Sequence, residues 1–228
     1  MADEKGYYSG RLSAERLRRC YEIAPPRIRQ YLEAEINHVL QKIRPGDIVL
    51  ELGCGYGRVM RLLCRKAGSV IGIDTSFSSL LLANQMLRNL PNTLLVQMDA
   101  VSLSFCDRTF DLVVCIQNGI SAFHVDQEEL IREAVRVIRK GGLILFSSYS
   151  GSFWRSRLEW FQLQSEAGLL GEIDYEQTGD GIIVCKDGFT ASTVETDQFL
   201  SLTSGVNADT KIVEVDGSSL FCEIIPRG

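Results

Sequence analysis

The chain has 228 residues, 45% of them hydrophobic and 23% charged, with a formal net charge of −5. These are the proportions of an ordinary globular protein that can bury a sizeable core, which excludes a disordered chain, and the length fits one large domain or one domain with a small insert. The acidic balance argues against a nucleic-acid partner. No apolar run approaches the roughly 20 residues that span a bilayer. The opening Met1-Ala2-Asp3-Glu4-Lys5 carries no signal-peptide core, so a cytoplasmic protein is expected.

Residues 1–44 read as an N-terminal helical cap. Leu12, Leu17 and Tyr21 lie near helical spacing ahead of Pro25-Pro26. Ile28, Leu32, Ile36, Val39, Leu40 and Ile43 mark the apolar face of a second helix. Residues 45–150 then alternate strand and helix. Strands are predicted over 47–51, 69–74, 93–98, 110–116 and 143–148. Helices are predicted over 58–67, 77–90 and 126–139, with Thr75-Ser76 capping the second and Lys140-Gly141-Gly142 stopping the third. Apolar strands alternating with helices imply a doubly wound α/β fold, a parallel sheet covered on both faces.

The pattern changes over 151–194. An amphipathic helix over 153–167 carries Trp154, Trp160 and Phe161, and short strand-like runs flank the hairpin signal Asp187-Gly188. Residues 195–228 hold a short helix over 196–204 and a closing hairpin, 211–215 and 219–225, around Asp216-Gly217. The seven cysteines (20, 54, 64, 106, 115, 185 and 222) are scattered and form no C-x-x-C pair, which argues against a zinc site and a disulfide framework.

Chemistry concentrates at the strand ends, where open α/β sheets bind ligands. Val49-Leu50-Glu51-Leu52-Gly53-Cys54-Gly55-Tyr56-Gly57-Arg58 runs from strand to glycine loop to helix start, a junction that offers bare backbone N–H groups to a polar ligand. Asp74 ends the second strand about 20 residues past the loop, the position suited to both hydroxyls of a ribose. Asp99, beside the small Ala100, ends the third and can accept from an exocyclic amine. Glu51 can orient the loop or accept from a ligand ammonium. Gln117 and Asn118 end the fourth strand. A dinucleotide loop would follow G-x-G-x-x-G, but Arg58 stands where its third glycine belongs; Asp74 suits either ligand.

These stretches resemble the class I S-adenosylmethionine-dependent methyltransferases. Glu51-Leu52-Gly53-Cys54-Gly55-Tyr56-Gly57 looks like the family's first motif, Ile73-Asp74 like its acidic ribose position and Met98-Asp99-Ala100 like its adenine position. Phe110-Asp111-Leu112-Val113-Val114 looks like its fourth strand, and Arg136-Val137-Ile138-Arg139-Lys140-Gly141-Gly142 like the run into its fifth. The resemblance implies a Rossmann-like, seven-stranded sheet, mostly parallel with an antiparallel C-terminal hairpin. It implies S-adenosylmethionine as cofactor, S-adenosylhomocysteine as product, and no metal. Gly53, Cys54, Gly55 and Gly57 would pass the methionine moiety, Asp74 and Thr75 the ribose, Asp99 and Ala100 the adenine, and Gln117 or Asn118 the sulfonium and substrate.

The preferred expectation is SN2 methylation of an N, O or C atom of a small molecule; a protein or RNA acceptor, and a non-catalytic S-adenosylmethionine-binding protein, are the alternatives. Gln117-Asn118-Gly119-Ile120 stands where enzymes acting on amide or exocyclic nitrogens carry Asn/Asp-Pro-Pro-Tyr/Phe, which disfavours those acceptors. Asn118 and His124 are the candidate catalytic groups, the His weighed against a plain helix-capping or surface role. Tyr7, Tyr8, Arg11 and Tyr21 are substrate candidates that could close over the cofactor as a lid or simply belong to a mobile or packed N-terminus, and Trp154, with Arg155, Arg157 and Trp160, could line the acceptor pocket or simply form a buried face. The basic cluster Arg16, Arg18, Arg19, Arg27 and Arg29 reads first as a solvated helix face. The insertion over 151–194 is either a wall of the acceptor pocket or the contact of a homodimer.

Overall fold

The structure, a computed structural model, describes residues 7–227, apart from the side chains of Tyr8 and Ser9. A seven-stranded sheet is its frame, in the order β3-β2-β1-β4-β5-β9-β8. The strands are β1 (Ile48–Leu52), β2 (Ser69–Asp74), β3 (Thr93–Gln97), β4 (Phe110–Cys115), β5 (Ile138–Tyr149), β8 (Ala208–Val215) and β9 (Ser219–Pro226). The first five pair in parallel, whereas β9 runs antiparallel to both β5 and β8. The chain winds from β1 out to β3, then restarts at β4 on the other side of β1. The gap beyond the carboxyl ends of β1 and β4 is therefore the switch point at which such sheets bind ligands.

Strand alternation builds two core layers. Leu50, Leu52, Val113, Cys115, Ile144 and Phe146 face one side, with α6 (Gln127–Val137) and α8 (Thr196–Thr203). Val49, Val70, Leu112, Val114 and Leu145 face the other, with α2 (Pro26–Lys42), α3 (Met60–Leu63) and α4 (Phe77–Leu87). Local chemistry sets the helix starts. Proline fills the first turn of α2. The Ser76 Oγ accepts from Ser79 N at 3.3 Å to cap α4, and Asp126 accepts from Glu128 N and Glu129 N to cap α6.

Two expectations are corrected. The helix foreseen over 58–67 keeps regular α geometry only for Met60–Leu63, because tighter bonds such as Leu62 N to Val59 O and Lys66 N to Leu63 O wind its flanks. Lys140-Gly141-Gly142 is not a helix stop. β5 already begins at Ile138, and the glycines form an irregularity in its ladder with β4, where Phe110 pairs Ile138 but Leu112 pairs Leu143. Gly142 fits there because a Cβ would lie 2.9 Å from Asp111 O.

A third hydrophobic cluster stands beside the sheet and its two core layers. It joins Tyr7, Leu12 and Cys20 of the N-terminal segment and Ile28 and Tyr31 of α2 to Trp160 and Phe161 of α7 (Trp154–Glu166) and to Ile183 and Ala191 of the small antiparallel pair β6 (Ile183–Val184) and β7 (Thr190–Ala191). α2 contributes to this cluster and to one core layer and couples them. The five basic residues of the N-terminal cluster have partners: Arg18 and Arg19 pair with Glu22, Arg27 with Asp216, and Arg16 and Arg29 donate to backbone carbonyls. His38 meets Glu223 at 2.8 Å, a link between α2 and β9. No described helix is long and apolar enough to cross a membrane.

Candidate functional site

Past β1 the chain enters the glycine loop with Gly53 at φ +71° and Gly55 at φ +53°. A Cβ on Gly53 would sit 2.5 Å from the Phe123 ring, so this backbone needs glycine both for its torsion and for the space it leaves. The loop is pinned to β2: Cys54 N donates to Ile73 O at 2.9 Å, and Gly55 N donates to Asp74 Oδ2 at 2.8 Å. The other oxygen of Asp74 accepts from Ser76 N at 2.8 Å. Burial pushes the Asp74 carboxyl up, and these two N–H donors pull it back down.

Glu51 is 4% exposed, and its Oε2 has no hydrogen-bond partner. Burial pushes its carboxyl up to about 8; the Arg58 guanidinium opposes the shift and Asp74 adds to it. Arg58 lies with its guanidinium carbon 4.3 Å from the ring centre of Tyr21, which belongs to α1 (Ala14–Glu22). Its Nη2 is buried and also unpartnered.

β4 ends in two left-handed residues, Gln117 at φ +60° and Asn118 at φ +62°, ahead of the single turn α5 (Gly119–Ala122). Gln117 N donates at 2.8 Å both to Glu35 Oε2 and to Ser147 Oγ. The Gln117 Oε1 accepts from the Tyr21 hydroxyl at 3.2 Å, while its Nε2 is buried without a partner. Glu35 is fully buried, and its second oxygen accepts from Ser219 Oγ at 2.8 Å. Burial raises its carboxyl to about 7 against the pull of these donors.

These elements enclose a cavity of about 380 Å³. Glu51, Gly53, Cys54, Gly55, Asp74, Thr75, Asp99, Ala100, Gln117 and Tyr21 all line it. Asp99 Oδ1 accepts from Val101 N. Cys20, Tyr21, Tyr149, Trp160, Phe161 and Gln164, contributed by α1, β5 and α7, also line the cavity, with the Trp160 ring against those of Tyr21 and Phe161.

Other candidates stand elsewhere. Gly57 packs against α4, 3.0 Å from Leu87 Cδ1 at its would-be Cβ. Asn118 is consumed in structure: Nδ2 donates to Ser192 O at 2.9 Å, and Oδ1 accepts from Ser148 Oγ at 3.0 Å. His124 does not line the cavity, and neither do Trp154, Tyr7 and Arg11. The Tyr7 hydroxyl donates to Asp187 Oδ2 at 2.8 Å and Arg11 approaches the same carboxylate, an N-terminal strap fastened to the insertion. Trp154 lies 5.7 Å from the guanidinium of Arg157, which donates to Gly181 O and Ala191 O. The side chain of Tyr8 falls outside the described residues.

Sequence reasoning missed Glu35, Arg58 as a cavity residue, and Phe123. Glu35 had a readable signal: it interrupts the apolar face Leu32, Ile36, Val39 with a charge, which is costly unless the charge is held. Phe123 and the α1 wall gave none, since only long-range packing brings them there.

Residues 49–142 match the family described as "Methyltransferase domain". The malonyl-[acyl-carrier protein] O-methyltransferase of Marinomonas sp. is 33% identical over 130 residues, 54% of this chain and 46% of that protein. The chain thus spans about half the length of the curated relatives it matches. Among solved structures, the PH0226 protein of Pyrococcus horikoshii superposes with a TM-score of 0.67 at 20% identity, covering 97% of this chain and 98% of that one. The DhpI–SAH complex superposes with a TM-score of 0.64 at 18% identity, covering 98% of this chain and 95% of the other.

Proposed function

We propose that this protein is a class I S-adenosylmethionine-dependent methyltransferase, a reading supported by the match of residues 49–142 to a methyltransferase domain, and that it methylates an N, O or C atom of a small-molecule acceptor by direct SN2 transfer. The observation that carries the reading is the buried, unpartnered Oε2 of Glu51 on the same cavity as Asp74 and Asp99. A buried carboxylate oxygen without a donor is costly, and a ligand ammonium removes that cost. Asp74, with Thr75, would hold the ribose hydroxyls, Asp99 the adenine amine beside Ala100, and the backbone of Gly53, Cys54 and Gly55 the methionine tail.

The donor supplies a methyl group on a positively charged sulfur. The chain supplies position and a water-poor enclosure. Gln117 lines the cavity, where its Oε1 accepts from the Tyr21 hydroxyl. Residues of α1 and α7 close in on the cavity as part of its lining, which favours a small acceptor over a protein or RNA side chain. Burial raises the phenols of Tyr21 and Tyr149 above their ordinary range, so they stay protonated at neutral pH and do not serve as bases. An acceptor that is already nucleophilic would need no dedicated base. A cytosolic setting fits the seven cysteines, all of them free.

Calorimetry should show S-adenosylmethionine and S-adenosylhomocysteine binding with NADH inert; binding of NADH alone would overturn the reading. Asp74→Ala should weaken S-adenosylhomocysteine by about 1.5–3 kcal/mol, the worth of a hydrogen bond to a charged group. A labelled-methyl screen over metabolite pools and RNA would then identify the acceptor.

A further inference from the structure

Arg157, Trp160, Phe161 and Gln164 are the buried residues of α7, and their spacing of three and four residues sets them side by side on one helix face. Two of the polar groups on that face are engaged. Arg157 donates to Gly181 O and Ala191 O, and the Trp160 indole donates to Cys20 O. Gln164 differs. It is 3% exposed and lines the cavity. Its main-chain carbonyl accepts from Leu169 N and Leu170 N, whereas its side-chain amide makes no hydrogen bond among the described residues. A buried carboxamide without partners is costly, and a leucine would fill the same place without that cost. A second amide on the cavity is half engaged: Gln117 Oε1 accepts from the Tyr21 hydroxyl, and Gln117 Nε2 is buried without a partner.

The side chains that α1, β5 and α7 add to the lining carry no charge. Burial raises the Cys20 thiol to about 12 and lifts the phenols of Tyr21 and Tyr149, so all three keep their protons at neutral pH. Arg58, which lies against Tyr21, is offset by Glu51, and Arg157 does not line the cavity. A charge on a ligand would be buried against this wall with no opposite charge on it. The Trp160 ring stands tilted by 51° to Tyr21 at 5.9 Å and edge-on to Phe161 at 6.0 Å. Such faces and edges are met best by another aromatic ring. We infer that the methyl acceptor is an uncharged aromatic ring bearing a hydroxyl or carbonyl oxygen, and that Gln164 is the specificity-determining residue that reads this oxygen from α7. Gln117 Nε2 offers a further N–H to the same class of group. The inference rests on the methyltransferase reading above and deepens it by naming the chemistry of the acceptor.

The test is calorimetry on the full chain saturated with S-adenosylhomocysteine at pH 7. The probes are 2-naphthol, which has ring and hydroxyl; naphthalene, which lacks the hydroxyl; decahydro-2-naphthol, which lacks the aromatic ring; and 2-naphthoate, which carries a charge. Wild type should bind 2-naphthol about tenfold or more tighter than the other three. Gln164→Leu, checked by circular dichroism, should weaken 2-naphthol about tenfold and leave naphthalene and S-adenosylhomocysteine within about twofold. Gln164→Met, unbranched and equally without an amide, repeats the measurement should the leucine variant fail to fold. No binding of 2-naphthol, or binding of 2-naphthoate or decahydro-2-naphthol as tight as that of 2-naphthol, would overturn the acceptor class. Equal loss on naphthalene and 2-naphthol would show that Gln164 only shapes the wall, and an unchanged 2-naphthol affinity would remove it from recognition. If wild type does not bind S-adenosylhomocysteine, the methyltransferase reading itself fails, an outcome distinct from all of these.

Discussion

At the scale of single residues, Glu51 is a carboxylic acid buried at the expense of the fold. An unfolded glutamate titrates near ~4.3, and burial raises this one to about 8. The folded state therefore holds the proton more tightly than the unfolded one. The stability this gives is complete below about pH 4 and is lost as the pH rises through about 8. Glu35, raised to about 7, acts in the same direction. Glu51→Gln carries no titratable proton, so its melting temperature should exceed that of wild type by several degrees at pH 8 and converge on it near pH 5. The same substitution should weaken S-adenosylhomocysteine. A wild-type melting curve that gains stability over Glu51→Gln between pH 5 and 8 would contradict the burial argument. Asp74 differs because both its oxygens already accept backbone N–H bonds, from Gly55 and Ser76. It ties the loop to β2 before any ligand arrives.

At the scale of elements, the glycine loop is held from beneath by β2. Gly72 lies under it, where a Cβ would collide with Met60 Sδ and come within 2.9 Å of Cys54 Cβ and Sγ. Gly72→Ala should cost about 1–3 kcal/mol by overpacking and should also displace Cys54, so ligand affinity should fall together with stability. A variant that loses stability in urea but binds S-adenosylhomocysteine as wild type would show that the loop tolerates movement of its floor. β4 delivers the opposite side of the site. Its end turns through two left-handed residues, Gln117 and Asn118, that are not glycines. Such torsions are costly, and here the surrounding bonds hold them: Gln117 N on Glu35 and Ser147, and the Asn118 amide between Ser148 and Ser192. The strain and its supports come from four separate stretches of chain, which is why Asn118 read as a reactive group in the sequence and stands as a clamp in the fold.

Over the whole molecule, the N-terminal segment and the insertion, some 140 residues apart in sequence, form one cluster against the sheet. Trp160 Nε1 donates to Cys20 O at 3.0 Å, and its ring meets Tyr21 at 5.9 Å. Trp160→Ala should cost about 3–5 kcal/mol. Its signature should be local: hydrogen exchange should quicken in both α1 and residues 169–191 while β1, β4 and β5 keep their protection. Uniform loss across the sheet would mean that the cluster is not a separate cooperative unit. The sequence alone determined the sheet and the strand-end edge of the cavity. Strand periodicity, the glycine spacing of Gly53 to Gly57 and the acids Glu51, Asp74 and Asp99 are local signals, because each strand places its own last residue at the same edge. Only the tertiary structure decided the rest: that Glu35 braces Gln117, that the Arg58 guanidinium lies against the Tyr21 ring, and that α1 and α7 add an aromatic wall to the cavity. Those contacts join residues far apart in the chain, through packing and buried polar bonds that no local spacing encodes.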